Sequence, residues 1–394
     1  MYDFDKLTNR FNTESIKWNV EEDELPMWIA DMDFDAAPCI KDAILERLNK
    51  PCFGYNLVPD EWYDAYINFW DRNYNFKIEK DWLMFSTGVV PTISSAVRRL
   101  TKPAEKVVVL TPVYNIFFNS IYNNGRYILE CPLEYKNGTY TIDFDDLENK
   151  LSDPQTTLMI LCNPHNPIGK IWSKSELAKI GRLCKMHDVT IISDEIHCSL
   201  TDPEKTYIPF ASVNNVCRDI SVTCISPTKA FSIPGLQTSA VFVPNKALRN
   251  KVYRGLNNDE IAEPNTFAVP VTIAAFTKGE DWLNEVRKYI YENKKIVYDF
   301  IGKKLYSCNA ILQDSTYLMW IDVSNVCNDS KGLCDFIRAQ TGLILTPGVE
   351  YGSKGEGFVR MNVATQRNRV IDGLNRFYEA ISLFIKNKWE GFLF

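Results

Sequence analysis

One lysine of this sequence stands apart from the other charged residues. In the stretch S-P-T-K-A-F-S-I-P-G, residues 226–235, Lys229 is the only charged side chain, and its neighbours are small, apolar or proline. It could be an ordinary lysine at a turn, or its amine could be desolvated and therefore nucleophilic. The choice depends on which other side chains the fold brings to it.

Two further loops offer polar groups beside that lysine. Short apolar runs rich in β-branched residues predict strands that are buried on both faces, at 107–110, 157–162, 189–194, 220–225 and 239–243. N-P-H-N-P-I-G follows the second run, D-E-I-H overlaps the end of the third, and S-P-T-K follows the fourth. Because ligands of open α/β sheets bind beyond the carboxyl ends of the strands, we expect these amides, the carboxylate and Lys229 at one edge.

The elements between these strands predict an α/β fold. A helical pattern begins at Ser173, where Ser173 and Glu176 have the spacing of a capping box. Strand–helix alternation indicates a mostly parallel sheet, and from about residue 280 the pattern changes to that of a smaller α+β module. We predict an N-terminal arm over residues 1–45 that also contributes to the small domain, a large domain over 46–280 and a small domain over 281–394.

Composition excludes several classes of protein. The 394 residues carry a net charge of −6, which argues against a nucleic-acid partner, and no apolar run is long enough to span a membrane. Eleven cysteines are scattered without a C-x-x-C pair or a leading signal peptide. This pattern predicts free thiols in the reducing cytoplasm and no metal site.

The side chains expected at the sheet edge suit pyridoxal 5′-phosphate (PLP). This cofactor needs a lysine amine for its aldehyde, a carboxylate for its ring nitrogen and an aromatic side chain to stack on. Its phosphate needs a helix N-terminus. F-S-T-G-V-V-P at 85–91 predicts such a helix start, with Gly88 allowing close approach and Pro91 in the first turn.

The motifs together resemble a known superfamily. T-P-V-Y-N, C-N-P-H-N-P-I-G, S-D-E-I-H, S-P-T-K-A-F and G-F-V-R-M-N occur in this order, as in the fold-type I PLP enzymes of the aspartate aminotransferase superfamily. M-W-I-A-D-M-D-F, F-G-Y and D-E-I-H resemble the bacterial cystathionine β-lyase, or C–S lyase, subgroup. The resemblance implies a large domain with a mostly parallel seven-stranded sheet between helices, plus a smaller α+β domain.

The resemblance also implies a role for each matching residue. Lys229 would bind the cofactor covalently, Asp194 would pair with its ring nitrogen, and Tyr114 would stack on the ring. Asn166 would donate to the phenolic oxygen, and Arg360 would bind the substrate α-carboxylate through two hydrogen bonds. We therefore expect catalysis to involve Lys229, Asp194 and Tyr114.

Further residues are expected around the cofactor and the substrate. The resemblance implies a homodimer with its active site at the subunit interface, where Tyr55 reaches into the other subunit. It places two arm residues at the substrate entrance, Ala30 and Asp31. The remaining cofactor contacts would come from Gly88, Val89, Val90, Asn163, His197 and Ser226.

Two departures from the superfamily pattern favour a lyase. His197 stands where many aminotransferases have a tyrosine, and Gln237 stands where they commonly have a phosphate-binding arginine. Both departures are shared by the lyase subgroup. We therefore predict PLP-dependent β-elimination on cystathionine or related S-substituted L-cysteines. An aminotransferase on the same fold is the main alternative, and a regulatory protein that retains the fold is a third.

Overall fold

The computed structural model describes residues 2–390. The strands in this range are β1 (Leu25–Pro26), β2 (Leu83–Ser86), β3 (Lys106–Thr111), β4 (Tyr127–Pro132), β5 (Glu134–Lys136), β6 (Thr139–Thr141), β7 (Thr156–Cys162), β8 (Thr190–Asp194), β9 (Ser221–Ile225), β10 (Ser239–Phe242), β11 (Asn309–Ala310), β12 (Leu318–Asp322), β13 (Leu343–Ile344), β14 (Thr346–Pro347) and β15 (Phe358–Asn362). The α-helices are α1 (Pro38–Leu48), α2 (Asp60–Tyr74), α3 (Val89–Leu100), α4 (Ile116–Tyr122), α5 (Phe144–Leu151), α6 (Lys174–Met186), α7 (Asn215–Ile220), α8 (Lys246–Asn258), α9 (Ala268–Lys278), α10 (Glu280–Lys304), α11 (Ser330–Thr341) and α12 (Arg367–Glu390).

A seven-stranded sheet forms the centre of the fold, in the order β2-β10-β9-β8-β7-β3-β4. The pairs from β9 to β4 are parallel, whereas β10 runs antiparallel to both β9 and β2. The sheet is therefore mostly parallel, as predicted. Since β10 is reversed, its first residues lie at the same edge of the sheet as the carboxyl ends of β9 and of the strands parallel to β9.

Alternate residues of each central strand face opposite layers of helices. Val108 and Leu110 pack in a cluster that includes α5 and α6, whereas Val107 and Val109 pack in a cluster that includes α3, α4 and α8. This two-residue period is the geometry of a pleated strand. Because both faces are covered, the strands read as continuous apolar runs.

A second, antiparallel sheet in the order β11-β12-β15-β14 packs with α10, α11 and α12 around its own apolar cluster. The N-terminal arm joins this part of the chain, because β1 pairs in parallel with β13. The arm therefore packs against the C-terminal part of its own chain. The boundaries predicted at residues 45 and 280 stay a prediction.

Most predicted elements lie within one or two residues of their observed bounds. The capping box of α6 is present, since Ser173 Oγ accepts from the backbone of Glu176 and the Glu176 carboxylate accepts from the backbone of Ser173. The sequence analysis missed β2 and β4, the two edge strands of the large sheet. Between residues 2 and 390, no helix has the length and apolar character needed to cross a membrane.

Candidate active site

Three strand ends meet at one edge of the large sheet, as the sequence predicted. The strands β7, β8 and β9 are adjacent and parallel, so the loops after Cys162, Asp194 and Ile225 emerge side by side. Asp194 is itself the last residue of β8, and Lys229 lies four residues beyond the end of β9. The carboxylate and the amine therefore reach the same space.

A cavity of about 320 Å³ opens at this edge. Among the described residues, its lining includes nine of the predicted site residues, which come from the arm, from the start of α3, from the loop after β3 and from the three strand ends: Ala30, Gly88, Val89, Val90, Tyr114, Asn166, Asp194, His197 and Lys229. A pocket that collects an amine, a carboxylate and an aromatic ring is a strong candidate for an active site.

Asp194 is a buried carboxyl group that lacks a direct cationic partner within residues 2–390. Its Oδ1 accepts a hydrogen bond from the backbone of Ile196 at 3.1 Å. Burial raises the pKa of Asp194 to about 7, although that hydrogen bond and the charge of Lys229 oppose the rise. A buried carboxylate is stable only when a cation or a proton compensates it, so this site suits a protonated ring nitrogen.

Lys229 lies at the cavity with its amine close to the arm. Its Nζ donates to the backbone carbonyl of Ala30 at 2.6 Å. Burial, followed by repulsion from Arg360, lowers the pKa of Lys229 to about 8, against the opposing charges of Asp31 and Asp194. Near neutral pH a larger fraction of this amine is neutral than of an ordinary lysine, and the neutral form is the nucleophile and the base.

The start of α3 forms one wall of the cavity. Gly88 precedes the first helical residue, and a Cβ at this position would lie 3.1 Å from Cδ of Pro91. The absence of a Cβ at Gly88 therefore avoids a tight contact with the Pro91 ring at the start of the helix. The first N–H groups of a helix have no partner within it, so Val89 and Val90 present donors to an anion.

Arg360 lies beside the cavity on β15. It is buried, donates from Nη2 to the Trp28 carbonyl at 2.9 Å, and contacts Asn166 Oδ1 from Nη1 at 3.3 Å. Its guanidinium carbon lies 5.0 Å from the centre of the Tyr351 ring. The buried Nε has no partner among the described residues, so Arg360 keeps a donor for a further ligand.

Two rings complete the site. His197 is buried, its Nδ1 has no partner in the described part of the chain, and its ring meets Tyr317 edge to face at 6.2 Å. Burial, with the charges of Lys229 and Arg360, lowers the pKa of His197 to about 3, so its imidazole is neutral at pH 7. Burial also raises the pKa of Tyr114, which is therefore a neutral phenol beside the cavity.

Some predicted site residues lie outside the cavity lining. Asn163 is fully buried and donates to the Ile208 carbonyl at 3.0 Å. Ser226 donates to the Thr238 carbonyl at 2.7 Å, and Asp31 pairs with Arg10 at 3.0 Å.

Tyr55 points away from its own chain. Its side chain is fully exposed in the segment between α1 and α2, and it does not line the cavity. That position is compatible with a contact to another subunit, and the roles of Tyr55, Asn163, Ser226 and Asp31 all stay predictions.

Sequence reasoning missed several residues at the cavity. Gln237, noted only as a departure, lines it next to the start of β10. Thr228 lies next to Lys229 in the S-P-T-K motif, which could have indicated it. The sequence did not indicate that β10 runs antiparallel to its neighbours. This direction places Thr238, just before β10, in the cavity lining. The other residues in this group are Thr87, Cys162, Ile196 and Pro234.

The residues present fit PLP. An uncompensated buried carboxyl at Asp194, a partly neutral amine at Lys229 and the helix start at Gly88 match the ring nitrogen, the aldehyde and the phosphate. A phosphate at this helix start would be held by backbone donors, because Gln237 provides no positive charge there.

Comparison with known proteins agrees with this fit. Residues 23–376 match the family model described as aminotransferase class I and II. The chain belongs to this family, and the predicted superfamily and fold are confirmed. It is 41% identical over 385 residues to the cystathionine β-lyase PatB of Bacillus subtilis, covering 96% of this chain and 100% of that protein.

Two solved structures are similar over nearly the whole chain. Cystalysin from Treponema denticola, which contains PLP, has a TM-score of 0.94 and 31% identity, covering 97% of this chain and 99% of that chain. A PLP-bound protein from Clostridium difficile 630, provisionally named an aminotransferase, has a TM-score of 0.94 and 36% identity, covering 97% and 100%.

Proposed function

We propose that this chain is a PLP-dependent carbon–sulfur lyase that acts on cystathionine or a related S-substituted L-cysteine. The products would be a thiol, pyruvate and ammonia. The observation that carries the proposal is that Lys229, Asp194 and Tyr114 line one cavity together with the start of α3. The choice of a lyase rests on the full-length similarity to a cystathionine β-lyase.

The site residues divide the work of the reaction. Bound PLP supplies an aldehyde for the substrate amine and a ring that accepts negative charge from Cα. The substrate amine would displace Lys229 from the cofactor aldehyde, so the freed Lys229 amine would take the Cα proton, and Asp194 would hold a proton on the ring nitrogen. Arg360 fixes the substrate carboxylate, which orients the Cα–H bond towards Lys229.

Elimination then breaks the Cβ–S bond. The sulfur leaves with the bonding electrons and is released as a thiol after it gains a proton. The three-carbon remainder takes up one water and is released as pyruvate and ammonia. The neutral ring of His197 and the phenol of Tyr114 line the pocket without adding a competing charge.

The second candidate function is transamination. The same lysine, aspartate and arginine would serve it, and a structural relative of this chain carries an aminotransferase name. A lyase would release pyruvate from L-cystathionine without any 2-oxoacid. An aminotransferase would consume an amino acid only when a 2-oxoacid is added, and that result would overturn the lyase proposal.

The proposal extends to assembly and location. The fully exposed Tyr55 supports a homodimer in which this side chain reaches the partner's cavity. All eleven cysteines are free, and eight of them are buried, which supports a reducing cytoplasmic location. Size-exclusion chromatography with light scattering would test the dimer, and a monomeric active enzyme would contradict it.

A further inference from the structure

The N-terminal arm reaches the cavity at Ala30, and the backbone carbonyls around this residue accept hydrogen bonds from site residues. We define the arm strap as residues 28–33. The Trp28 carbonyl accepts from Arg360 at 2.9 Å, and the Ala30 carbonyl accepts from Lys229 at 2.6 Å and from Tyr317 at 3.0 Å. The strap thus contacts both the reacting amine and the guanidinium.

The strap is also tied to the strand that carries Arg360. Asn362, two residues beyond Arg360, donates from Nδ2 to the carbonyls of Ile29 and Asp31 at 2.6 and 2.7 Å. On the other side, the backbone N–H of Met32 donates to Ser232 Oγ at 2.8 Å. Ser232 lies three residues after Lys229 in the sequence. These contacts make the strap a bridge between the loop of Lys229 and β15.

A buried ion pair anchors the end of the strap. Asp33 and Lys17 are each 1% exposed, and Lys17 Nζ lies 2.8 Å from Asp33 Oδ2. The other oxygen, Oδ1, accepts from Arg10 at 2.9 Å and from Trp18 Nε1 at 2.8 Å. Burial alone would raise the pKa of Asp33, but Lys17, Trp18 and Arg10 lower it below its ordinary value.

The same two cations also bind the strap backbone. Lys17 Nζ donates to the Asp31 carbonyl at 3.2 Å, and Arg10 donates to the Met32 carbonyl at 3.1 Å. The backbone N–H of Asp33 donates to the Ala364 carbonyl at 2.9 Å. The Asp33 carboxylate therefore helps to hold the two cations that bind these carbonyls, together with the Asp31 carboxylate, which lies 3.0 Å from Arg10 and 3.7 Å from Lys17.

We infer that Asp33 is a positioning residue, which fixes the arm strap through Lys17 and Arg10 so that the Ala30 carbonyl holds the Lys229 amine in place. Within residues 2–390, the Ala30 carbonyl is the one hydrogen-bond partner of Lys229 Nζ. Arg360 has additional contacts to Asn166 and Tyr351. Loss of the anchor therefore displaces Lys229 more than Arg360.

The test replaces the carboxylate in the PLP-loaded enzyme. Asp33→Asn should lower kcat for pyruvate release about 10- to 100-fold, because small displacements of a catalytic base have effects of this size. KM should change less than kcat. Hydrogen exchange of the strap amides, followed by mass spectrometry, should become faster. This exchange does not depend on turnover, so it tests the inference even if the proposed lyase activity is absent.

Asp35→Asn is the matched control. Asp35 lies two residues further on, pairs with Lys6 at 2.7 Å and is 55% exposed. Its removal should leave kcat, KM and strap exchange unchanged. If Asp33→Asn does not fold because the buried Lys17 keeps only the more distant Asp31 carboxylate at 3.7 Å, the double variant Lys17→Met with Asp33→Asn removes both charges. It should fold and should show the same losses.

Two results would overturn the inference. One is a folded variant at position 33 with the kcat and the strap exchange of the unaltered enzyme. The other is a lower Tm with kcat unchanged well below the transition, since this would mean that Asp33 serves stability alone.

Discussion

The Arg360 guanidinium lies 3.3 Å from the side-chain oxygen of Asn166, although 194 residues separate the two in sequence. Arg360 belongs to the small antiparallel sheet, and Asn166 follows a central strand of the large sheet. In the proposed reaction the first residue binds the substrate carboxylate and the second contacts the cofactor. A substrate that binds Arg360 therefore binds next to a residue that contacts the cofactor.

Arg360→Ala should weaken substrate binding. The loss of a bidentate, charge-assisted contact costs about 2–4 kcal/mol, which appears as a strongly raised KM for L-cystathionine in a pyruvate assay. Arg338→Ala is a suitable control, because Arg338 is half-exposed and pairs with Glu24 at the surface. An unaltered KM in Arg360→Ala would mean that the carboxylate binds elsewhere.

Lys229→Ala should abolish pyruvate release and leave the fold intact. Among the described residues that line the cavity, Lys229 is the one whose amine can bond to the cofactor and take the Cα proton, and the substitution removes it. Pyruvate production, visible absorption after addition of PLP, and far-UV circular dichroism would be measured together. Lys251→Ala, on the exposed side of α8, should behave like the unaltered protein. Substantial lyase activity in Lys229→Ala would rule out the assignment.

The cofactor-free protein should bind added PLP faster as pH rises towards about 8. Only the neutral Lys229 amine can attack the aldehyde, and burial together with the charge of Arg360 lowers its pKa to about 8. The rate of appearance of visible absorption should rise below this pH and level off above it. A midpoint near that of an ordinary lysine, about 10.4, would contradict the description of the site.

Asp194→Asn should stabilise the cofactor-free protein at alkaline pH and inactivate the loaded enzyme. The folded pKa of Asp194 is about 7, above its usual 3.8, so the fold favours the protonated form. The stabilising contribution of this proton is full below pH 4 and is lost as pH rises through 7. The asparagine variant should therefore have the higher Tm at pH 8, and the difference should be smaller at pH 5.5. A lower Tm at pH 8 would show that the carboxylate is compensated.

The sequence predicted the large sheet and the convergence of three loops because buried parallel strands leave continuous apolar runs. It did not reveal β2 and β4, which are edge strands: β2 has four residues, and β4 has a half-exposed pattern that interrupts the apolar run. The expected roles of Lys229 and Asp194 came from motifs at or just beyond strand ends that resemble those of the PLP enzymes.

The arm strap left no comparable pattern. Its hydrogen bonds to Lys229 and Arg360 use backbone carbonyls, which every residue type provides, so no side chain marks them in the sequence. Asp33 lies in the motif M-W-I-A-D-M-D-F that resembles the lyase subgroup, but the motif does not indicate which residue Asp33 pairs with. Its pairing with Lys17 depends on the folding of the arm, which has no helical or strand periodicity.

The reversed strand β10 constrains the segment that contains Lys229. The amine lies just beyond β9, and Thr238 lies just before β10, so both ends of the segment between them are fixed at the same cavity wall. An insertion at a free surface loop changes only the length of a connection. Here, an added residue would have to be absorbed at the exposed Pro234 and Gly235 to leave Lys229 and Thr238 in place. The length of the segment from Lys229 to Thr238 therefore affects the geometry of the active site.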